Sequence, residues 1–435
     1  MKNIINNLRE MKTFLLLWLT QSFSALGSAM TAYALVIWSY GQQGSALMTA
    51  LLMVCSYTPY VLCSVFAGAL SDRWNKKRTM LACDTIAAAV TLAVLLLLRS
   101  GELRIWHLYV LNAINGLMNT VQQPASEVAV TAVLPRKFYQ KVGGLRYLSN
   151  SVNTILTPII ATAVMGLLGM EAVIAFDLLS FGAAFVCLLF FIRIPAPKED
   201  PAAKKESLTA SAMGGLRWLK ENPGIFHLIL FLASVNLVAS LYNAAFPAMM
   251  LSRSGAGEAA MGTVNAVIGI GTLAGSLLAS LLKAPKNRIR VIYGTMLFSL
   301  TVENLLLAFG RTTAVWCIGG FLGWIVVPVM SANLDAILRL SVPEEIQGRV
   351  YSARNTFQFF TIPLGYFLGG IAVDRLFEPL MAAQPDHSLL VSWFGSGKGS
   401  GAAMFFAVLA LLGALVCILS RGNRHVRALE RRTIR

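Results

Sequence analysis

Charged residues are scarce in this chain. Only 13% of its 435 residues are Asp, Glu, Lys or Arg, whereas 56% are hydrophobic. A soluble domain carries about twice that share of charge. Residues 13–71 contain no charged side chain at all. The composition therefore excludes an ordinary soluble protein and predicts a polytopic membrane protein.

Cysteine and histidine, which build disulfide frameworks and many metal sites, are also few. The six cysteines all fall within predicted membrane spans without C-x-x-C spacing, and the four histidines do not cluster. A G-x-x-x-x-G-K phosphate loop and a catalytic triad are both missing from the sequence. We therefore predict no metal, no cofactor and no enzyme activity, and we do not expect ATP to drive the protein directly.

The bases are unevenly distributed along the chain. The formal net charge of +16 would by itself suit a nucleic-acid-binding protein. With the N-terminus placed inside, however, most of the 36 Lys and Arg residues fall in inner segments. This asymmetry follows the positive-inside rule. We therefore expect a cell inner (plasma) membrane protein with both termini cytoplasmic and no nucleic-acid partner.

The apolar segments divide into two similar halves. Since about 20 apolar residues cross a bilayer, the sequence predicts about twelve spans. They lie near residues 13–38, 46–70, 79–98, 105–126, 147–169, 172–192, 225–249, 259–282, 289–309, 313–336, 352–373 and 402–420. A Pro- and Lys-containing stretch predicts a cytoplasmic linker at 194–224, between bundles at 1–193 and 225–435. A shift of 208 positions lays Glu127 on Asp335 and Arg146 on Arg354, which indicates an internal repeat.

The stretch GALSDRWNKKR, residues 68–78, follows the second span. It resembles the loop signature between helices 2 and 3 of the major facilitator superfamily, G-x-L-a-D-r-x-G-r-k. Asn75 replaces the second glycine and tolerates the left-handed backbone of such a turn. The resemblance implies a conformational switch in which the aspartate latches the loop to the second half. The matching positions are Gly68, Leu70, Asp72, Arg73, Lys76 and Lys77.

A second stretch, VPEEIQGRVYS at residues 342–352, is similar to the turn before helix 11 in the macrolide-efflux-like branch of this superfamily. Residues 24–28, 123–125 and 363–370 fit the same branch. The resemblance implies an all-α fold of twelve helices, in two six-helix pseudo-symmetric bundles around a central cavity. It also implies alternating access and proton-coupled export of amphipathic organic compounds of macrolide or drug type.

Other functions remain open. The same branch contains siderophore exporters and members of unknown substrate, so a lipid or siderophore exporter and a solute importer are alternatives. A nontransport sensor or scaffold is disfavoured because the Asp72 stretch is intact. The predicted partners are a small-molecule substrate and membrane lipids, and the predicted assembly is a monomer.

Polar residues form stripes on several predicted spans. In spans 1 and 4 they recur at intervals of three and four, which places them on one helical face. In hydrocarbon such a face must meet protein or water. The resemblance implies that helices 1, 4, 7 and 10 line the cavity, and interhelical hydrogen bonding is the alternative role. The predicted cavity residues are Gln21, Ser24, Ser28, Asn112, Asn115, Asn119, Gln122, Asn236, Tyr242, Asn243 and Trp324.

Acids inside the spans are candidates for proton coupling. Asp84, Asp177 and Glu303 lie there, where a desolvated carboxyl suits reversible protonation. Asp177 and Glu303 are the predicted pair. The resemblance makes helices 3, 6 and 9 peripheral, however, which favours a structural role for each acid taken singly.

Two further groups concern the movement and packing of the helices. The predicted inner gate consists of the pairs Glu127 with Arg146 and Asp335 with Arg354, together with Arg349; static surface pairs are the alternative. The glycine pairs Gly271 with Gly275 and Gly365 with Gly369 have the small-xxx-small spacing of closely packed helices.

Overall fold

The computed structural model describes residues 11–133, 139–194, 216–343, 346–426 and 428–429. Within these ranges, the side chains of residues 64–73, 127–128, 131–132, 139–148, 347–349 and 351–352 are not described. The described chain is helical almost throughout, as long apolar segments in lipid must be, since a helix satisfies its own backbone hydrogen bonds. The predicted all-α class is confirmed.

The helices follow one another with short connections. The first six are α1 (Lys12–Gln43), α2 (Ala46–Arg73), α3 (Lys76–Arg99), α4 (Ile105–Val133), α5 (Tyr139–Leu168) and α6 (Met170–Val186), the last continued by a π-helical turn at Cys187–Phe191. They are followed by α7 (Pro223–Ser252), α8 (Glu258–Leu281), α9 (Arg288–Phe309), α10 (Thr313–Ile325), α11 (Val327–Ser341) and α12 (Gln347–Ile371, continued as a π-helix at Ala372–Phe377). The last three are α13 (Glu378–Ala382), α14 (Leu389–Phe394) and α15 (Ser400–Gly422).

Eleven helical stretches of the described chain are long and apolar enough to cross a membrane, with α10 and α11 counted as one. The helix α4 has 29 residues but is not among them. Its amide side chains, from Asn112 to Gln122, lower its hydropathy. Together with α4, these stretches match the twelve predicted spans.

Grouped by internal contacts, the chain forms two compact units. Unit 1 comprises Met1–Leu35 and Cys55–Lys205, and unit 2 comprises Val36–Val54 and Glu206–Arg435. The hairpin between α1 and α2 therefore groups with unit 2, whereas the sequence placed all of residues 1–193 in one bundle. Most of the predicted linker at 194–224 lies outside the described residues. The predicted domain boundaries remain a prediction.

Each unit has its own apolar core. In unit 1, Met30, Ala34 and Ala161 are fully buried in a cluster shared by α1, α5 and α6. In unit 2, the rings of Phe231 and Tyr293 pack at a tilt of 36° with 4.2 Å between their centroids, within a larger cluster. Burial of these side chains from both water and lipid leaves each bundle packed on its inside.

The tenth predicted span is broken in the middle. The helix α10 ends at Ile325 and α11 begins at Val327, and Val326 between them has φ −92° and ψ −16°. Pro328 stands in the first turn of α11, where its missing N–H removes no helical hydrogen bond. The break is therefore encoded by the proline.

Glycines bring α8 close to this break. A Cβ at Gly275 would collide with the carbonyl oxygen of Ile325, and one at Gly271 would lie 3.0 Å from that of Phe321. In the other predicted pair, a Cβ at Gly369 would lie 3.0 Å from the Leu241 carbonyl oxygen. The predicted close helix contacts are confirmed at these glycines.

The segment between α12 and α15 contains two short helices, α13 and α14. Arg253 donates to the carbonyl oxygens of Leu307 and Phe394 at 3.3 and 3.1 Å. Burial lowers the pKa of Arg253 to about 10, and the positive charge of Arg311 adds to the effect. Arg311 in turn donates to the Ser392 carbonyl oxygen. The two guanidinium groups thus hold α14 in place.

Asp374, in the π-helix after α12, caps the first turn of α2 within unit 2. Its carboxylate accepts from the Ser45 hydroxyl at 2.6 Å and from the backbone N–H groups of Ala46 and Leu47, both at 2.9 Å. Ser45 Oγ in turn accepts from Met48 N at 3.1 Å. The otherwise unpaired N–H groups of this helix end are therefore satisfied, and a negative charge faces the positive end of the helix dipole.

We expect Asp374→Asn to destabilise the protein by about 1–3 kcal/mol, because an amide cannot accept on both of its atoms. Thermal unfolding of the purified protein measures this effect. Asp386→Asn is the matched control, since Asp386 is exposed between α13 and α14. Equal melting temperatures for the two variants would contradict the capping role.

We expect Gly275→Val to destabilise the protein by about 1–3 kcal/mol, because the side chain meets backbone atoms of α10. Gly166→Val is the control, since a Cβ at Gly166 meets nothing within 4 Å. Thermal unfolding should separate the two valine variants. If the control melts at as low a temperature as Gly275→Val, the low helix propensity of valine, rather than the contact between α8 and α10, causes the loss of stability.

Candidate functional site

Unit 1 contains a cavity of about 550 Å³. It is lined by α1, α3, α4 and α6, with Ser56 of α2. Its walls are mainly amide, hydroxyl and alanine side chains, with Phe181 among the few larger apolar groups. Seven of the predicted cavity residues line it: Gln21, Ser24, Ser28, Asn112, Asn115, Asn119 and Gln122.

Two glycines allow helices around the cavity to approach each other closely. A Cβ at Gly116 of α4 would collide with the Ser56 carbonyl oxygen of α2. A Cβ at Gly27 of α1 would lie 2.9 Å from the Asp177 Cα of α6. These close approaches fix α4 and α1 so that their polar stripes face the same space.

Asp177 lies at the α6 wall of the cavity. The residue is only 4% exposed, and the Ser28 hydroxyl donates to its Oδ1 at 2.9 Å. The carboxyl is therefore held by a residue from the polar stripe of α1. This geometry allows protonation to alter a contact between α1 and α6.

Asp84 lies at the α3 wall of the same cavity. Gln122 of α4 donates to its Oδ1, while its Oδ2 is buried and has no hydrogen-bond partner among the described residues. A buried oxygen without a partner is unfavourable, so it is a natural position for a proton or a cationic ligand. The lining contains both acids and, among the described residues, no Lys, Arg or His.

The sequence favoured a structural role for Asp84 because the resemblance made helix 3 peripheral. The structure places Asp84 in the lining of the same cavity as Asp177. One signal was available: Asp84, Ala87, Ala88 and Thr91 form a face of small or polar side chains on an otherwise apolar helix. That face lines the cavity.

Glu303 of α9 belongs to unit 2. It is 5% exposed, and the indole N–H of Trp324 donates to its Oε1 at 3.0 Å. A Cβ at Gly323 would collide with the carboxylate, so this glycine makes room for it. Glu303 is thus a packed acid with a specific partner on α10.

Of the other predicted cavity residues of unit 2, Tyr242 interacts with Glu303, and the asparagines have other surroundings. Asn236 donates to the Gln358 carbonyl oxygen at 3.2 Å. The ring of Tyr242 stacks on Phe246 at 5.5 Å, and Asn243 is exposed. Tyr242 and Trp324 both interact with Glu303, whereas the described contacts do not bring Asn236 and Asn243 into that cluster.

The predicted switch stretch is helical for longer than expected, since α2 continues to Arg73. The side chains of Gly68, Leu70, Asp72 and Arg73 lie outside the described residues. The proposed latch of Asp72 therefore stays a prediction.

Asn75 does not adopt the expected left-handed conformation. Its φ is −66° and its ψ is 114°, and its Oδ1 accepts from Arg78 N at 3.1 Å. Asn75 is the N-cap of α3, a position at which asparagine is strongly preferred. An asparagine that caps α3 therefore stands at the position where the superfamily signature has its second glycine.

The two lysines of the stretch are described. Lys76 is 3% exposed. Lys77 Nζ donates to the carbonyl oxygens of Leu189 and Ile192 at 2.9 and 2.8 Å, at the end of the π-helical turn after α6. A cation there pairs with unsatisfied carbonyl groups and with the negative end of the helix. Lys77 therefore ties the start of α3 to the end of α6.

Part of the predicted inner gate is described. Arg354 Nη1 lies 3.6 Å from Asp335 Oδ1, and Arg354 Nε donates to Gln358 Oε1 at 3.2 Å. The side chains of Glu127, Arg146 and Arg349 lie outside the described residues. A gating role for any of these residues stays a prediction.

Comparison with known families decides the class of the protein. A family model described as Major Facilitator Superfamily matches residues 17–366. The chain belongs to this superfamily. It is a multi-pass membrane transporter rather than an enzyme, and its substrate is a small molecule.

Individual relatives are more distant. The chain is 24% identical over 366 residues to macrolide efflux protein A of Streptococcus pyogenes, covering 83% of this chain and 90% of that protein. It is 23% identical to the multidrug efflux pump Tap of Mycolicibacterium fortuitum, covering 80% and 86% respectively. An auto-inhibited POT family peptide transporter matches with a TM-score of 0.67 at 13% identity, over 95% of this chain and 97% of that one. This structural likeness shows the fold alone.

The cavity geometry predicts different water access for two faces of α4. In a background with the six native cysteines replaced by alanine, Asn119→Cys should react with a cationic methanethiosulfonate at least about tenfold faster than Leu117→Cys, because thiolate forms in water. Leu117 is the control, since it lies on the opposite face of α4 and is 37% exposed. Equal labelling rates would contradict a hydrated cavity at this stripe.

Proposed function

We propose that the protein exports amphipathic organic compounds of macrolide or drug type by alternating access, in exchange for protons, across the cell inner membrane. We further propose that it acts as a monomer with both termini cytoplasmic. The observation that carries the proposal is the cavity of unit 1, with two acids and no basic side chain in its described lining. The macrolide efflux protein and the multidrug efflux pump named above support the same direction of transport.

The lining suits a ligand that has polar groups and is either uncharged or cationic. Amide side chains such as Asn115 and Asn119 both donate and accept hydrogen bonds, so they adapt to varied oxygen and nitrogen groups. Small residues such as Ala87 and Ala88 leave room. A volume of about 550 Å³ is in the range of small-molecule sites.

The two acids offer a way to exchange a proton for a cationic substrate. A proton and a cationic substrate compete for the same carboxylate, since either one neutralises its charge. Asp177, with Ser28 on one oxygen, and Asp84, with an unpaired Oδ2, are the proposed exchange sites. Glu303, held by Trp324, is the proposed protonation site of unit 2.

The remaining predicted residues take the roles that the resemblance implies. Asp72 is the proposed latch of the switch stretch, and the pair of Asp335 with Arg354 is a proposed inner gate that forms and breaks during the cycle. Its distance of 3.6 Å and its partial exposure are compatible with a contact that can open.

A siderophore or other anionic substrate is the main alternative. Such a ligand needs cationic groups in the cavity, and the described lining has none. This observation favours cationic or neutral cargo over anionic cargo. An importer with the same fold would move its substrate in the opposite direction. A lipid exporter would need an opening through which lipid enters from the bilayer.

Intracellular accumulation in a pump-deficient bacterial host tests the proposal. Cells that express the protein should accumulate less of a macrolide and of cationic dyes, and a protonophore should abolish the difference. We expect Asp177→Asn and Asp84→Asn each to reduce efflux about tenfold or more, as loss of a contact worth about 1.4 kcal/mol would. Asp386→Asn should export normally, since that acid is exposed and lies outside the cavity lining.

The outcomes separate the alternatives. Selective export of an anionic dye would overturn the proposal that the substrate is cationic or neutral, and it would favour a siderophore or other anionic substrate. Efflux that persists with the protonophore would overturn proton coupling. If no compound distinguishes the wild type from Asp177→Asn at equal expression, the drug-export proposal fails.

A further inference from the structure

A second cavity, a groove of about 410 Å³, lies between α9 and α15 in unit 2. Tyr293, Gly294 and Leu297 form one wall, and Cys417, Ile418 and Arg421 form the other. The two helices run antiparallel, because Gly413 packs on Leu300 while Cys417 shares the groove with Tyr293. The groove therefore lies where α9 begins and α15 ends.

This groove is open because a side chain is missing. Gly294 is exposed, and a Cβ built there would meet nothing within 4 Å. On α15, Leu415, Ile418 and Leu419 are 52%, 61% and 65% exposed. In a helix that crosses a membrane, such residues face lipid. The open side of the groove is thus continuous with a lipid-facing surface.

Positive charge lies at one end of the groove. Arg421 is exposed in the last turn of α15, and Arg290 is exposed one helical turn before Gly294 on the same face of α9. Neither arginine has an acidic partner within the described part of the chain. Two unpaired guanidinium groups beside an apolar groove favour a ligand with an anionic head and an apolar tail.

We propose that this groove binds one anionic phospholipid from the bilayer. Its phosphate lies on Arg290 and Arg421, and part of one acyl chain fills the notch left by Gly294. Guanidinium groups form charge-assisted hydrogen bonds with phosphate, and basic pockets between membrane helices bind anionic head groups. The site is separate from the cavity of unit 1, so it does not depend on which substrate the protein exports.

Native mass spectrometry of the full chain in detergent tests the proposal, with added dioleoylphosphatidylglycerol or dioleoylphosphatidylcholine. The wild type should retain one phosphatidylglycerol in clear preference to phosphatidylcholine. Gly294→Leu should lose the bound lipid, because leucine occupies the notch without meeting other protein atoms. Arg421→Gln should weaken the preference for phosphatidylglycerol about fivefold, as expected for the loss of one basic contact with an anionic head group.

Gly166→Leu is the matched control, since it places the same side chain at another open helical glycine. It should retain the lipid as the wild type does, and all variants should melt within a few degrees of the wild type. Equal retention of both lipids by the wild type, or full retention by Gly294→Leu, would overturn the proposal. A dimer that Gly294→Leu abolishes would assign the groove to a second copy of the chain instead.

Discussion

A polar group in hydrocarbon must find a partner or face water, and this constraint determines most of the interior of the molecule. Unit 1 and unit 2 meet it differently. In unit 1 the polar groups gather around a cavity, where Ser28 donates to Asp177 and Gln122 donates to Asp84. In unit 2 the buried acid Glu303 interacts with Trp324 and Tyr242. The two units therefore give their buried acids different surroundings, a lined cavity in unit 1 and a packed cluster in unit 2.

Helical periodicity was enough to find the cavity faces of α1 and α4. Each stripe lies on a single helix, so its spacing is visible in the chain itself. Asp84 was left out of the predicted cavity because the resemblance made helix 3 peripheral, and its partner Gln122 lies on another helix and reaches it only through packing. The same limit explains unit 2, where the spacing of Asn236 and Tyr242 gave no sign that one bonds to α12 and the other packs among aromatic rings.

Local backbone chemistry was harder to predict than the helices themselves. Asn75 could have served either as a left-handed turn residue or as a helix cap, since its side chain suits both. The outcome depends on where α2 ends, and α2 runs three residues beyond the predicted span, which ended at residue 70. Similarly, the sequence of the hairpin between α1 and α2 does not indicate that Asp374 caps α2, because Asp374 lies more than 300 residues away in the chain.

The amide stripe of α4 also bears on how the protein is made. Because α4 falls short of the apolarity that lets the other helices cross a membrane, its own sequence gives the translocation machinery a weak signal for lateral release into lipid. The helix synthesised just before it, α3, contains an 18-residue window with a mean hydropathy of 2.3 and carries Asp84, the partner of Gln122. We therefore expect α3 and α4 to enter the bilayer as a hairpin, with the future cavity wall already paired during synthesis.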